Sequence, residues 1–405
     1  MRIVPKLAAM DDYVLRRISK KVSAPARLVL WNGRAVMLAE DLPLVEVAIG
    51  DRMALLLLLL DPETNFGELY TSGRVRVEGS LEDLLTAASR AGKPSNWYRR
   101  LISSWLTWRF PDDMRGSRRN IHHHYDLGTD FFRLWLDSSL NYTCAYFPSP
   151  ALTLEKAQAA KMDLVCQKLR LRPGESVLEA GCGWGALALH MARNYGVTVK
   201  AFNISKDQIA YARESARREA LHQRVEFIED DYRNIRGHSD VFLSVGMLEH
   251  VGGSRYHELS DVIHRTIGNS GRGLLHFIGR NRPRPFNNWI RRHIFPGAYA
   301  PALREVMPIF EPWNYAVVDV ENLRQHYEWT LQHWLERFEQ AVPQIRGTFD
   351  EAFIRAWRFY LTGSVAAFRA GTLQLFQVLF AGSECHCLPP TRADLYQTSV
   401  ETHLA

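Results

Sequence analysis

One stretch constrains this chain more than any other. A short apolar segment, Ser176–Ala180, runs straight into Gly181, Cys182, Gly183, Trp184 and Gly185, and then into a helical pattern at Ala186–Tyr195. Glycine at alternate positions lets a backbone turn sharply and lets a ligand come close. The helix that follows offers free N–H groups and the positive end of its dipole. The spacing is G-x-G-x-G, not the G-x-G-x-x-G of dinucleotide loops. Strand patterns recur at 198–202, Val225–Glu229, Val241–Val245 and 273–278, and a helical pattern at 206–219 separates the first two. Strands alternating with helices at this spacing predict an α/β fold: a doubly wound, mostly parallel sheet.

The rest of the chain organises around that core. Its 405 residues allow two to three domains. Residues 1–90 read as a small N-terminal α+β domain, with strands at 28–31, 44–49 and 73–79 and a helix capped by Ser80. Residues 91–120 read as a basic, Trp-rich linker with one helix at 95–108. Its Trp and Arg residues would either lie at a lipid headgroup layer or pack against neighbouring domains. Residues 121–405 form the main domain, whose C-terminal additions are expected to be helical at 323–339 and 353–378. The apolar run 53–60 is far short of the ~20 residues a membrane span needs. The N-terminus shows no pattern expected of a signal peptide. Five cysteines, an odd number, argue against a disulfide framework and for a reducing compartment. The net charge of +6 favours an anionic partner: nucleic acid, a membrane surface or a small substrate. No metal site is expected. His122, His123 and His124 fall inside a segment with another explanation, and Cys385-His386-Cys387 lacks a second ligand pair.

The residues E-A-G-C-G-W-G at 179–185 resemble the D/E-x-G-x-G-x-G loop of S-adenosylmethionine-dependent methyltransferases. More narrowly, G-C-G-W-G resembles the cyclopropane-fatty-acyl-phospholipid synthase family. Further segments match that family in order: N-I-H-H-H-Y-D-L-G at 120–128, Y-T-C-A-Y-F at 142–147, N-I-S-K-D-Q at 203–208 and D-Y-R at 231–233. S-V-G-M-L-E-H-V-G at 244–252, L-H-F-I-G at 275–279, H-Y at 326–327 and A-F-R-A at 367–370 follow. The resemblance implies S-adenosylmethionine as methyl donor. Gly181, Cys182, Gly183, Trp184 and Gly185 would pass beneath its methionine and ribose, and Tyr142 and Thr143 would cover it. Asn203 and Gln208 would meet ribose or adenine, and Asp231 and Tyr232 would flank the adenine. Two positions depart from the pattern. Asn203 stands where the family commonly has Thr or Ala, and Ser364 stands where members often have a cysteine.

Transferring a sulfonium methyl to an unactivated alkene makes a carbocation, so the site needs negative potential, a base and the exclusion of water. The family implies a bound bicarbonate as the proton acceptor, held by Glu249, Cys144, His276, Tyr327 and the backbone of Ile278. Tyr, Cys, His and a backbone N–H supply donors to such an oxyanion, while Glu249 accepts from its hydroxyl. The implied reaction closes a cyclopropane ring on a cis double bond of a membrane phospholipid. The same scaffold giving a methyl-branched or methylene product, and an inactive lipid-binding protein, are the alternatives. Arg280, Arg282, Arg284, Arg291 and Arg292, interleaved with Phe286 and Trp289, suit phosphate headgroups, and no nucleic-acid-reading motif accompanies them. The expected partners are phospholipid acyl chains at an anionic surface and a second copy of the chain. The expected place is the cytoplasm, at the inner face of the membrane.

Overall fold

The structure, a computed structural model, describes residues 13, 15, 26–38, 45–90 and 127–393. The expected 95–108 helix, the Arg/Trp-rich stretch around it and His122 to His124 lie outside the described residues. The chain divides into two compact units. The first takes Met1–Ser103, Phe286–Pro296 and Leu331–Thr372; the second takes Ser104–Pro285, Gly297–Thr330 and Leu373–Ala405. The division in space is therefore discontinuous along the sequence.

In the first unit four strands form a sheet: β1 (Ala26–Leu30), β2 (Ala35–Met37), β3 (Val45–Ile49) and β4 (Val75–Gly79), in the order β2-β1-β3-β4. Alternate residues Ala26, Leu28 and Leu30 of β1 and Val45, Val47 and Ile49 of β3 face one core. The apolar run 53–60 is a helix, Arg52–Leu60, capped by Asp51, whose carboxylate accepts from the Ala54 N–H at 2.9 Å. Ser80 caps the Leu81–Arg90 helix as expected, accepting from the Asp83 N–H at 3.1 Å. The Asn288–His293 helix puts Trp289 at full burial, its ring edge-on to Phe359 with centroids 4.8 Å apart. A side chain at Gly67 would meet that indole at 2.7 Å. Trp289 is thus a core residue, and the expectation that it serves an exposed landing patch is corrected.

The second unit holds β5 (Ser176–Ala180), β6 (Thr198–Asn203), β7 (Val225–Glu229), β8 (Val241–Val245), β9 (Arg272–Gly279), β10 (Ala316–Asn322) and β11 (Gln374–Ala381). Among the described residues they form one sheet in the order β10-β11-β9-β8-β5-β6-β7. From β7 through to β9 neighbours are parallel; β11 is antiparallel to both β9 and β10. The chain winds outward from β5 through β6 to β7, then returns to β8 and β9. The β5/β8 boundary is therefore the switch point where such sheets open a crevice. Both faces are covered. Val177 and Leu243 pack with the helices Leu154–Leu169, Ala186–Tyr195 and Lys206–Arg218, while Leu178 and Phe242 pack with Tyr256–Ile267. Burial on both faces explains why these strands read as continuous apolar runs.

The expected helix at 353–378 needs correction. The helix Glu351–Arg369 stops before Gly371, which takes φ +71°, and the chain re-enters the sheet as β11. Every residue of β11 is buried, with Val378 and Phe380 on one face and Leu379 on the other. A strand apolar on both faces has no period-two signature, and its sequence joins the preceding helical pattern without a visible break.

Candidate active site

The turn after β5 is built from residues with positive φ: Gly181 (+84°), Gly183 (+54°) and Gly185 (+87°). Gly185 and Gly183 do different work. A Cβ on Gly185 would lie 2.6 Å from the Phe227 ring and 2.9 Å from Ala212, so Gly185 seats the helix against the sheet. A Cβ on Gly183 would meet nothing within 4 Å, because that side opens to a cavity. The cavity lies at the carboxyl ends of β5, β6, β7 and β8. It is lined by Tyr142, Thr143, Gly181, Cys182, Gly183, Trp184, Asn203, Gln208, Asp231 and Tyr232. Ten of the eleven residues expected around the methyl donor thus share one cavity, and Gly185 does not line it.

Its walls are aromatic and hydrogen-bonded. Tyr142 packs against Phe132 and Trp135, with ring centroids 5.4 Å from each, and Trp184 packs against Phe132 at 5.1 Å. The Trp184 indole donates to Thr129 Oγ1 at 3.1 Å. Asn203 Nδ2 donates to Gln208 Oε1 at 2.7 Å and to the Gly183 carbonyl at 3.3 Å, tying the second strand's end to the glycine loop. Asp231 is buried and held by a two-pronged ion pair from Arg233, with both N–O distances 2.7 Å. A hydrogen-bonding, partly acidic lining next to a bare glycine backbone fits a nucleoside carrying a cationic sulfonium.

None of the five residues expected around the proton acceptor lines this cavity. They fall into three groups. Glu249, in the short helix Leu248–Val251 just past β8, accepts from the Ile278 N–H at 2.6 Å. Its other oxygen, Oε2, is buried with no hydrogen-bond partner, and burial raises its pKa to about 7. His276, two residues before Ile278 on β9, is buried with Nε2 unpartnered, and burial lowers its pKa to about 3. Cys144 Sγ lies 3.1 Å from the Ala145 carbonyl and 4.0 Å from that of Leu323; the Tyr327 N–H donates to the same Leu323 carbonyl at 3.2 Å. Burial pushes the Cys144 thiol pKa up, so it stays protonated. Orphaned polar atoms at Glu249 and His276, one accepting and one on a neutral ring, fit a small ligand that both donates and accepts.

Among the lining residues outside the expected set, two buried charged groups stand out, Lys161 and Glu179. Lys161 is 1% exposed and donates to Asn141 Oδ1 and Thr143 Oγ1, both at 3.2 Å. Burial lowers its pKa, opposed by Asp137, Cys144 and Glu179. Glu179, the acid of the glycine-loop motif, is also buried; desolvation raises its pKa to about 7 against the pull of Lys161. A signal for Lys161 was present. Leu154, Gln158, Lys161, Val165 and Lys168 recur at four- and three-residue steps along one buried stripe of the Leu154–Leu169 helix. Polar residues on such a stripe are out of place unless something inside needs them.

The sheet order, switch-point cavity and glycine loop define the architecture of an S-adenosylmethionine-dependent methyltransferase. The fold also matches coclaurine N-methyltransferase, at a TM-score of 0.65, 22% identity and coverage of 78% of this chain and 98% of that one. Residues 113–378 match the family described as mycolic acid cyclopropane synthetase, and the chain belongs to that family. Residues 14–95 match a domain of unknown function. A probable fatty acid methyltransferase of Pseudomonas putida is 32% identical over 92% of this chain and 96% of its own length. The cyclopropane-fatty-acyl-phospholipid synthase of Escherichia coli is 41% identical over 64% of this chain and 66% of that protein. A solved structure of mycolic acid cyclopropane synthase CmaA1, complexed with SAH and CTAB, superposes at a TM-score of 0.62. It is 31% identical and covers 65% of this chain and 97% of that one.

Proposed function

We propose that this methyltransferase acts on a cis double bond in the acyl chain of a membrane phospholipid and closes a cyclopropane ring, with bicarbonate as the proton acceptor. The observation that carries the reading is that Glu249 Oε2 and His276 Nε2 are buried without a hydrogen-bond partner, while the Ile278 N–H is already donated to Glu249 Oε1 and holds that carboxylate in place. S-adenosylmethionine would supply the methyl group from the cavity beneath Gly183, and bicarbonate would supply the base that the carbocation requires. This chain's own residues do the rest. Tyr142, Trp184 and Phe132 exclude water that would trap a cation. Asn203, Gln208 and Asp231 orient the donor. Glu249 and His276 hold the acceptor and add no nucleophile of their own, and Cys144, kept as a thiol, does not compete for the methyl group.

Membrane contact and pairing belong to the same reading. Arg282 and Arg284 are exposed and suit anionic headgroups. Among the described residues no helix is long and apolar enough to cross a membrane. In this reading the substrate is reached from the membrane surface, at the inner, cytoplasmic face. Met53 and Leu60, 58% and 69% exposed, offer an apolar patch to a second copy in a homodimer.

A second reading is favoured by two relatives that span nearly the whole chain. One is the Pseudomonas putida protein; the other is a tuberculostearic acid methyltransferase of Mycobacterium tuberculosis, 31% identical over 91% of this chain and 90% of its own length. In this reading the cation ends as a methyl branch by taking up hydride from an external two-electron donor such as a reduced nicotinamide. Mass spectrometry after incubation with labelled S-adenosylmethionine, defined cis-unsaturated phospholipid vesicles and a reduced nicotinamide separates the two. Ring closure adds one CH2, and a reduced methyl branch adds two further hydrogens. Absence of any labelled lipid, with S-adenosylmethionine bound, would overturn both and leave the lipid-binding alternative.

A further inference from the structure

The register of the second sheet places three polar residues in one row. Glu321 of β10 lies directly opposite Gln377 of β11, and Gln377 lies directly opposite His276 of β9. Gln377 and His276 lie on buried strands and Glu321 on the partly exposed edge strand β10, and burying such polar side chains is expensive unless they are bonded. The bonds run in sequence. Lys168, reaching in from the Leu154–Leu169 helix, pairs with the Glu321 carboxylate and donates to Gln377 Oε1 at 2.7 Å. Gln377 Nε2 lies 3.0 Å from His276 Nδ1. The side chains of Gln377, His276 and Lys168 are 0%, 2% and 3% exposed.

The direction of each bond follows from donor inventory alone. An ammonium has three donors and no acceptor, so the atom of Gln377 facing Lys168 must be its carbonyl oxygen. The amide then has one orientation, with NH2 toward His276. An NH2 group only donates, so His276 Nδ1 must be the lone-pair nitrogen. In a neutral imidazole the proton then sits on Nε2, the atom left buried and unpartnered. We infer that Lys168 and Gln377 are positioning residues that lock His276 in the Nε2–H tautomer, so that it presents a hydrogen-bond donor to the proton-acceptor site. This rests on the reading of that site given above. The lock matters because the other tautomer would turn a lone pair toward a bound oxyanion, replacing an attraction by a repulsion.

Histidine 15N NMR tests the lock without turnover. With 15N-labelled histidine, and His276 assigned by its disappearance in His276→Asn, long-range 1H–15N correlations should show Nε2 protonated and Nδ1 unprotonated at pH 7. Gln377→Glu keeps the side chain's shape but makes it an acceptor on both sides: it still accepts from Lys168, and it now requires Nδ1–H on His276. The tautomer should switch, turnover should fall about 100-fold, and S-adenosylhomocysteine affinity by calorimetry should stay within about twofold. Lys168→Met frees the amide to rotate and should give a mixture of tautomers. A wild-type ring protonated on Nδ1, or one unchanged in Gln377→Glu, would overturn the inference whatever the activity. A tautomer that switches as stated while turnover stays at wild type would instead overturn the assignment of His276 to the proton-acceptor site.

Discussion

In the parallel half of the second sheet, β5 to β8, the cavity's polar groups sit mostly at or just past the strand ends: the 181–184 loop, Asn203 and Asp231, with Glu179 inside β5 the exception. In the antiparallel flank they sit within the strands, where His276, Gln377 and Glu321 face one another across β9, β11 and β10. Loop groups work through bare backbone and positive φ, so they leave a sequence signature. In-strand groups work through register, and each alone resembles an ordinary core position. The two regions also protect their chemistry differently. The cavity end has aromatic walls, whereas in the flank Lys168, Glu321, Gln377 and His276 are bonded to one another in a row.

That contrast can be broken first at Glu249, which stands between the two regions. Glu249→Gln should cut turnover by roughly 100- to 1000-fold, read as product formed per enzyme, while S-adenosylhomocysteine binding by calorimetry stays near wild type. Near-normal turnover would remove Glu249 from the proton-acceptor site.

The glycine loop offers a sharper division. Gly185→Ala combines positive φ with a 2.6 Å clash against Phe227. It should cost about 2–4 kcal/mol of stability in a denaturant titration. Gly183→Ala has open space, so its stability cost should stay near 1 kcal/mol. Its methyl group points into the cavity and should weaken cofactor binding about tenfold. Equal effects of the two on stability would remove the distinction between packing and binding within the loop.

Smaller and dependent on pH is the cost of burying Glu249. Its pKa is raised in the folded state from 4.5 to about 7. The associated stability is therefore fully present below pH 4.5 and is lost as pH rises through 7. Gln at this position stays neutral. Glu249→Gln should thus match wild type in stability near pH 4 and exceed it by about 3 kcal/mol near pH 8. Activity should run the other way in wild type. It should rise through pH 7 as the carboxylate ionises, with bicarbonate held constant. His276 stays neutral across that range, since burial lowers its pKa to about 3 and its stability contribution is lost only as pH falls from 6.5 toward that value. An unfolding midpoint difference that does not change with pH would show that Glu249 is not desolvated as described.

The smallest effect belongs to the surface. Replacing Arg282 and Arg284 by Gln should weaken binding to anionic vesicles about tenfold in sedimentation assays, at about 1 kcal/mol per arginine with partial screening. Turnover on detergent-dispersed substrate should be unchanged; equal loss on both substrates would place these arginines in the fold or the site instead.

How much was legible can be stated residue by residue. The strand–loop–helix at 176–195 and the alternation that follows it were readable, because backbone turns demand glycine and parallel strands demand apolar runs. Those are local requirements, satisfied by neighbours in sequence. The cavity residues outside that loop, by contrast, were reached only through the resemblance of ordered segments to the family. The strand Gln374–Ala381 was hidden inside an apparent helix, since full burial on both faces erases the period that separates the two. Lys161 and Lys168 were visible only as misplaced charges on a buried stripe, with nothing to say what they met. Trp289 looked like an interfacial residue, although Gly67 and Phe359 leave it no surface. By itself, then, the sequence determined the fold class, the cavity and the family of chemistry. Tertiary structure alone decided that Gln377 lies opposite His276, 101 residues away in the chain. Pairing register is set by the packing of whole strands, and no local pattern encodes which residue will stand across from which.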